Sequence, residues 1–206
     1  GPAVERQRSR QFAGLAELIL PEIERVVARP ARAEQVDVAV TADVGRAADV
    51  KKLVEDTMSQ FGKIDILVNN AGIFPVKPFL EITEEEWDRV QDTNIKSQFL
   101  CCQAVAREMI KQGNGGKIVN LSSIEGAFPL TAGRTHYHAS KGAVILFTQS
   151  LAKELANYKI NVNAVAPGLT DTPGTRSVAG TYDLNSFVAT ARIPLGRLGQ
   201  PEDICL

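Results

Sequence analysis

Apolar residues first alternate and then recur at helical spacing in the stretch that follows residue 35. The alternation over 36–40 predicts a strand, and the spacing of apolar residues over 50–61 predicts a helix that ends at Gly62. The mostly apolar run 64–68 then predicts a strand of a parallel sheet that is covered on both faces. Strand, helix and strand in this order are typical of an α/β protein.

The same order continues through the second half of the chain. Thr83 and Glu86 form the sequence signature of a capping box, which predicts the start of a long helix. The glycine-rich run 113–116 predicts the end of that helix. The helices of this half are expected over about 84–112 and 137–157, and the strands over 117–122 and 160–166.

Two segments lack this regular pattern. Residues 169–195 contain many small and turn-forming residues, which predicts a mobile loop over a site, with a short helix near 183–191. Residues 1–34 carry no strand-like run, and their apolar residues follow an amphipathic helical pattern that Pro21 interrupts. We therefore expect an atypical helical N-terminal segment over 1–34 and one α/β domain over 35–206.

Composition narrows the class of protein. The chain has 206 residues, enough for a sizeable core, and a formal net charge of −1. Its Lys and Arg residues form no cluster that would indicate nucleic acid or an anionic membrane. Its apolar stretches are far too short to span a bilayer. Cys101 and Cys102 are adjacent within a helical pattern, which is typical of small buried residues, so we expect a protein of the reducing cytoplasm.

A phenol and an ammonium group lie one helical turn apart at Tyr137 and Lys141. This spacing places both side chains on one helix face, where the positive charge of a lysine can lower the pKa of a tyrosine. A phenol tuned in this way can pass a proton to or from an alcohol or carbonyl oxygen. The alternative is a surface tyrosine beside a solvated lysine, so the assignment depends on the motifs around the pair.

Small polar turns follow three of the predicted strands. Asn69-Asn70-Ala71-Gly72 follows the first, Ser122-Ser123 ends the second, and Pro167-Gly168 follows the third. Ligands of open α/β sheets bind at the carboxyl ends of the strands. We therefore expect these turns to meet Tyr137 at one edge of the sheet.

Taken in order along the chain, these motifs resemble the short-chain dehydrogenase/reductase family. The resemblance runs from about residue 36 to residue 203, and the quartet Asn94, Ser123, Tyr137 and Lys141 matches the catalytic positions of that family. It implies a Rossmann-like, doubly wound parallel sheet within three αβα layers. It also implies an NAD(P)-dependent oxidoreductase that interconverts an alcohol and a ketone or aldehyde by hydride transfer.

The resemblance gives each member of the quartet a role. Tyr137 acts as the general acid and base, while Lys141 lowers its pKa and contacts the nicotinamide ribose. Ser123 binds the substrate oxygen, and its spacing to a glycine three residues later favours it over Ser122. Asn94 holds a water in a proton relay, unless its side chain bonds locally inside its helix.

The resemblance implies NAD or NADP as the cofactor. The residues that match the cofactor contacts of the family are Asp43, Val44, Asn70, Ala71, Gly72, Tyr137, Lys141, Pro167, Gly168, Thr170 and Thr172. Two of these matches have plain alternatives: Asp43 can cap the following helix, and Pro167-Gly168 can be an ordinary turn. His136 and His138 do not share a helix face, so no metal site is expected.

The sequence departs from the family pattern at both ends. No glycine-rich turn of the kind that binds the cofactor pyrophosphate precedes Gly45, so we expect a sheet that is incomplete at both ends, with an open edge. The chain is then either an oxidoreductase or a truncated relative that serves as a binding or assembly module. A third hypothesis is that residues 1–34 replace the lost elements, including across a dimer.

The expected partners are small molecules and further copies of the chain. The substrate class is an alcohol or carbonyl compound, and we expect Glu125, Phe128, His136 and the loop 173–195 to lie around it. Members of the family commonly form dimers or tetramers through their two long helices, here about 84–112 and 137–157. A homo-oligomer is therefore expected, with no nucleic acid and no membrane as partner.

Overall fold

A computed structural model describes residues 25–28, 38–179 and 193–205. The strands are β1 (Arg25–Ala28), β2 (Val38–Thr41), β3 (Ile66–Asn69), β4 (Gly116–Leu121) and β5 (Ile160–Val165). The α-helices are α1 (Ala47–Phe61), α2 (Glu84–Gln91), α3 (Ser97–Gln112), α4 (Thr135–Leu155), α5 (Pro173–Ala179) and α6 (Pro201–Cys205). Single 3₁₀ turns cover Phe79–Glu81, Ile124–Gly126 and Ala156–Tyr158, and a π-helical turn covers Asp92–Lys96.

Three parallel strands in the order β3-β4-β5 form the sheet that carries the core. Residues on neighbouring strands pair in register, so that Leu67, Ile118 and Val162 share one face of the sheet. Helices α3 and α4 cover this face, and the core there includes the fully buried Met109. The α/β class and the parallel sheet expected from the sequence are confirmed.

The other face of the sheet is open where the described residues form it. Ile66 and Val68 point to this face, and they are 59% and 56% exposed. The helices of the described ranges thus supply one of the two helical layers expected around the sheet.

The strand β1 corrects the expectation for the N-terminal segment. Residues 25–28 were expected to continue a helical pattern, but they form a strand that pairs antiparallel with β2. Val26 and Val27 are β-branched and suit a strand, and their pairing satisfies an edge of β2 that was expected to be open. The helix expected over the rest of 1–34 lies outside the described residues.

The helix ends follow the sequence signals, whereas the long helix is interrupted. Thr83 and Glu86 form the expected capping box, and the left-handed residues Gly62 and Gly113 end α1 and α3 with φ of 72° and 74°. The helix expected over 84–112 is divided by the π-helical turn at Asp92–Lys96. The remaining helices and strands that were expected begin and end within a few residues of the predicted bounds.

The segment 169–195 contains a helix that was not expected, α5, at its beginning. The short helix expected near 183–191 lies outside the described residues. Cys101 and Cys102 are both buried, as expected, and burial raises the pKa of Cys102 to about 12. A search of the described helices for one with the length and apolar character to cross a membrane finds none.

Candidate active site

The loops that follow β3, β4 and β5 meet at the carboxyl edge of the sheet, as the strand order predicts. They enclose a cleft of about 370 Å³. The cleft is lined by nine of the residues that match catalytic or cofactor positions of the family, namely Asn70, Gly72, Ser123, Tyr137, Lys141, Pro167, Gly168, Thr170 and Thr172. The segments that contribute them are up to about a hundred residues apart in sequence, so it is the parallel sheet that brings them together.

Tyr137 lies in the first turns of α4 with 9% of its surface exposed. Burial raises the pKa of its phenol above the ordinary value of about 10, and the Glu125 carboxylate acts in the same direction. A hydrogen bond with the Ser123 side chain and the charge of Arg134 act in the opposite direction, but burial is the larger effect. The net direction is therefore opposite to the lowering that was expected from Lys141.

Lys141 lies on the same side of α4 as Tyr137, as the spacing predicts. Its ammonium nitrogen is 5.9 Å from the centroid of the Tyr137 ring, and the residue is 5% exposed. Its Nζ donates a hydrogen bond to the Leu121 carbonyl oxygen at 2.7 Å, which ties α4 to the end of β4. The ammonium group is thus held at the floor of the cleft, within reach of a ligand there.

The two adjacent serines at the end of β4 have different partners. Ser122 Oγ donates to the Lys141 carbonyl oxygen at 2.8 Å and joins the strand to α4. Ser123 Oγ accepts from the backbone N–H of Glu125 at 3.1 Å and lies within hydrogen-bonding reach of the Tyr137 phenol. Ser123 is therefore the serine that can share a substrate oxygen with Tyr137.

Asn94 is completely buried within the π-helical turn, beneath the cleft. Its Oδ1 accepts from the Ile73 N–H at 2.8 Å, and its Nδ2 donates to the Ile73 carbonyl oxygen at 2.8 Å and to Ser140 Oγ at 3.0 Å. These partners lie far away in sequence, so the alternative of local bonding inside its helix is wrong. A side chain at Gly72 would meet both Asn94 Oδ1 and Lys141 Nζ at 3.3 Å, so Gly72 lies beside both of these residues.

Three residues matched to cofactor contacts do not line the cleft. Val44 is 4% exposed and packs with Val50 and Cys101, and Ala71 packs against the same cluster. Asp43 Oδ1 accepts from the Gly45 N–H at 2.9 Å, an Asx turn before α1. The Asp43 side chain therefore orders the approach to the helix, although the helix N-cap itself is Arg46.

The substrate side of the cleft differs in part from the expectation. Glu125 lines it, as expected, whereas Phe128 is 66% exposed outside it, and His136, in the first turn of α4, is buried and does not line it. Burial lowers the pKa of His136. Phe74 and Arg134 line the cleft but were not predicted, because neither belongs to a recognisable motif. Phe74 meets the edge of the Tyr137 ring at 6.3 Å between centroids.

Within the described ranges, no group of three or more His, Cys, Asp or Glu side chains could hold a metal ion.

The family model of short chain dehydrogenases matches residues 16–183 of this chain, which is more than half of its length. The chain belongs to the short-chain dehydrogenase family. It shares the α/β fold of the family's solved structures. One of these, a short-chain type dehydrogenase/reductase from Mycobacterium marinum, superimposes with a TM-score of 0.76 at 38% identity, over 81% of this chain and 64% of that one.

Several characterised members of the family are similar in sequence. The 2-dehydro-3-deoxy-D-gluconate 5-dehydrogenase of Dickeya dadantii is 43% identical over 169 residues, which are 81% of this chain and 65% of that protein. The 3-oxoacyl-(acyl-carrier-protein) reductase FabG of Thermotoga maritima is 45% identical over 155 residues, 75% of this chain and 61% of that protein. The chain thus spans less than two thirds of the length of these relatives.

A gluconate 5-dehydrogenase from Burkholderia cenocepacia is similar in structure, with a TM-score of 0.73 and 34% identity over 79% of this chain and 63% of that one. That short-chain dehydrogenase was solved in complex with NADP and tartrate.

Proposed function

We propose that the chain is an NAD(P)-dependent oxidoreductase that interconverts an alcohol and a ketone or aldehyde, with Tyr137 as the general acid and base. The observation that carries this proposal is the meeting of Ser123, Tyr137 and Lys141 in one cleft at the carboxyl edge of the sheet. The buried amide of Asn94 supports the floor of this cleft, and the 3-oxoacyl reductase and sugar-acid dehydrogenase relatives carry out chemistry of this class.

The residues of the cleft fit the nicotinamide end of the cofactor. Gly72 leaves free the space that a side chain would fill beside Lys141 Nζ, and that ammonium group suits the hydroxyl groups of a ribose. Asn70, Pro167, Gly168, Thr170 and Thr172 line the same cleft and are proposed as the further contacts. The described residues contain no glycine-rich turn for the pyrophosphate, so the proposal assigns only the nicotinamide-ribose end. Bound cofactor supplies or accepts the hydride.

The protein's own part in the reaction is the transfer of a proton and the placement of an oxygen. Because the pKa of Tyr137 is raised, its phenol is protonated at neutral pH, which is the form that donates a proton to a carbonyl oxygen during reduction. Ser123 is proposed to donate a second hydrogen bond to the same oxygen and to stabilise the charge that develops there. Lys141 and the Asn94 amide, held in place by their neighbours, are proposed to support the return of the proton to Tyr137.

Tyr137→Phe tests this assignment. The substitution keeps the ring that packs against Phe74 and removes only the phenol oxygen, so the fold and the binding of NADH or NADPH are expected to persist. Turnover of carbonyl substrates is expected to fall by a factor of about 10² to 10⁴, the range of general acid–base catalysis. Steady-state kinetics and fluorescence titration with each cofactor are the measurements. Activity within a few-fold of the unchanged protein would rule out the assigned role.

A second candidate function is a binding or assembly module without catalysis. It is favoured by the separate two-stranded sheet that β2 forms with β1. Titration with NADH and NADPH, followed by nicotinamide fluorescence and melting temperature, distinguishes the two. Saturable binding with turnover supports the enzyme, whereas a folded chain that binds neither nucleotide supports the module.

We also propose that the chain forms a homo-oligomer through α3 and α4. Both helices expose large apolar side chains, Phe99 at 45% and Leu146 at 70%. Exposed apolar side chains on helices suit an interface between copies. Light scattering coupled to size exclusion tests this, and a monomer at all concentrations would contradict it.

A further inference from the structure

A buried ion pair forms part of the wall of the cleft. Arg134 Nη1 lies 3.2 Å from Glu125 Oε2, and only 13% and 10% of the two side chains are exposed. Both residues line the cleft. Arg134 directly precedes α4, the helix that carries Tyr137, and its guanidinium carbon is 5.9 Å from the centroid of Phe74. Phe74 in turn meets Tyr137, so the arginine lies close to the proposed reacting centre.

The two members of this ion pair differ in which of their polar atoms have hydrogen-bond partners. Glu125 Oε1 accepts from Thr131 Oγ1 at 2.6 Å and Oε2 pairs with Arg134, so both carboxylate oxygens have partners. Arg134 Nε, in contrast, is buried and has no hydrogen-bond partner among the described residues. A guanidinium group offers its donors in a rigid fork, and the Nη1 contact leaves the edge formed by Nε and Nη2 to another acceptor.

We propose that the Nε edge of Arg134 binds a carboxylate of the substrate, which makes the substrate a hydroxy acid or oxo acid. This inference rests on the proposed function and adds the chemical class of its substrate. A buried donor without a partner is unfavourable, and a planar carboxylate matches two parallel N–H groups of arginine.

The charges of the cleft favour the same class of ligand. Its charged lining residues within the described ranges are Arg134, Lys141 and Glu125, two cations and one anion. A lining with two cationic side chains and one carboxylate favours an anionic ligand. Glu125 holds Nη1 and not the Nε edge, but its negative charge repels an anionic ligand beside it, so its removal is expected to strengthen the binding of a carboxylate.

The test compares oxo acids with their neutral amides. Pyruvate, acetoacetate and levulinate are each titrated against the corresponding primary amide, by ligand-observed NMR, with and without NADPH. We expect at least one acid to bind roughly tenfold to a hundredfold more tightly than its amide, as one hydrogen bond to a charged group allows. Arg134→Gln is expected to remove this preference, whereas Arg107→Gln, a matched change at an exposed position of α3, is expected to retain it.

The outcomes separate this inference from the proposed function. Equal binding of acids and amides, or a preference that survives in Arg134→Gln, would overturn the carboxylate site. Failure to bind NADPH counts against the proposed function. The difference in affinity between acid and amide, measured without NADPH, still tests whether Arg134 binds a carboxylate. Unfolding of Arg134→Gln would also abolish the preference, so a second variant is needed. We expect Glu125→Gln to bind the preferred acid several-fold more tightly, a gain that unfolding cannot produce. No gain in a folded Glu125→Gln protein would count against an anionic group bound beside Glu125.

Discussion

Burial and three neighbouring residues set the ionisation of the Tyr137 phenol, and their effects oppose one another. Burial and the Glu125 carboxylate favour the neutral phenol, whereas the Ser123 hydrogen bond and the Arg134 charge favour the phenolate. The pKa is raised because burial is the larger effect. A tyrosine in this state is prepared to donate a proton rather than to accept one.

The cofactor-free protein is expected to show this directly. The phenol of Tyr137 should titrate above pH 10, because deprotonation places a charge in a buried site. Ser123→Ala should raise the pKa further by removing a hydrogen bond that lowers it, and Glu125→Gln should lower it by removing a negative charge. The measurement is a pH titration of ¹³C-labelled tyrosines by NMR. The chain has three tyrosines, and loss of one signal in Tyr137→Phe assigns the residue. A midpoint at or below the ordinary value of about 10 in the unchanged protein would contradict the assigned role of burial.

The neighbouring serines give a matched pair of substitutions. Ser122→Ala removes the buried hydrogen bond to the Lys141 carbonyl, so we expect a loss of about 0.5–1.5 kcal/mol in the free energy of unfolding, with little change in turnover. Ser123→Ala is expected to reduce turnover by a factor of about 10² or more, as for loss of an oxyanion donor, with a smaller effect on stability. Urea denaturation and steady-state kinetics measure both. A large loss of turnover in Ser122→Ala, with a small one in Ser123→Ala, would make Ser122 the functional serine.

Among the elements, the 3₁₀ turn Ile124–Gly126 determines how closely Ser123 approaches Tyr137. A side chain at Gly126 would come within 2.6 Å of the backbone of Lys141 and 2.9 Å of the Gly142 nitrogen. The turn can therefore rest directly on α4 only because residue 126 has no side chain. The glycine that favoured Ser123 in the sequence thus has a steric reason.

Gly126→Ala is expected to destabilise the protein by about 1–3 kcal/mol, because the added methyl group meets backbone that cannot rotate away. Gly168→Ala is the control, since a side chain there meets nothing within 4 Å, and we expect a change within about 0.5 kcal/mol. Thermal and urea unfolding of both variants provide the comparison. An effect of Gly126→Ala as small as that of the control would show that the turn can move off α4.

Helices and strands were predicted correctly where their sequence signals lie in adjacent residues, and missed where they depend on contacts between distant residues. The capping box at Thr83 and the glycine caps are written in a few adjacent residues, and they were predicted correctly. The π-helical turn at Asp92–Lys96 was missed, because the long-range bonds of Asn94 to Ile73 and Ser140 are not visible in the sequence. The strand at Arg25–Ala28 was missed for a similar reason, since its pairing with β2 competes with a local helical pattern.

The same distinction applies to the candidate site. Tyr137 and Lys141 form a pattern within one helical turn, and the serine and glycine turns follow strands, so the sequence indicated all of them. Arg134 and Phe74 reach the cleft from loops, and only packing brings them together. Val44 was matched to the cofactor because it ends a strand, although the structure uses its side chain in the core.

At the scale of the whole molecule, the two faces of the sheet make different contributions to stability. Ile118→Ala on the helix-covered face is expected to cost about 2–5 kcal/mol, because Ile118 is completely buried. Ile66→Ala on the other face removes the same atoms from a side chain that is 59% exposed, and should cost less than about 1 kcal/mol. Urea unfolding of the two variants measures the difference. Equal losses would mean that the open face is covered in the folded protein.

A series of hydrogen bonds between buried side chains links β3, β4 and α4. Asn69 Nδ2 donates to Asn120 Oδ1 at 2.8 Å, and Asn120 Nδ2 donates to Thr148 Oγ1 at 2.9 Å. These side chains meet only when Asn69 and Asn120 pair as neighbours in the sheet, and any slip of one strand would leave amides buried without partners, at about 1–3 kcal/mol each. These hydrogen bonds therefore favour one register of the two strands over all others. A protein folded in this register has Asn70 and Ser123 in the lining of the same cleft, so the accuracy of the site is set during folding, by side chains one residue before Asn70 and three residues before Ser123.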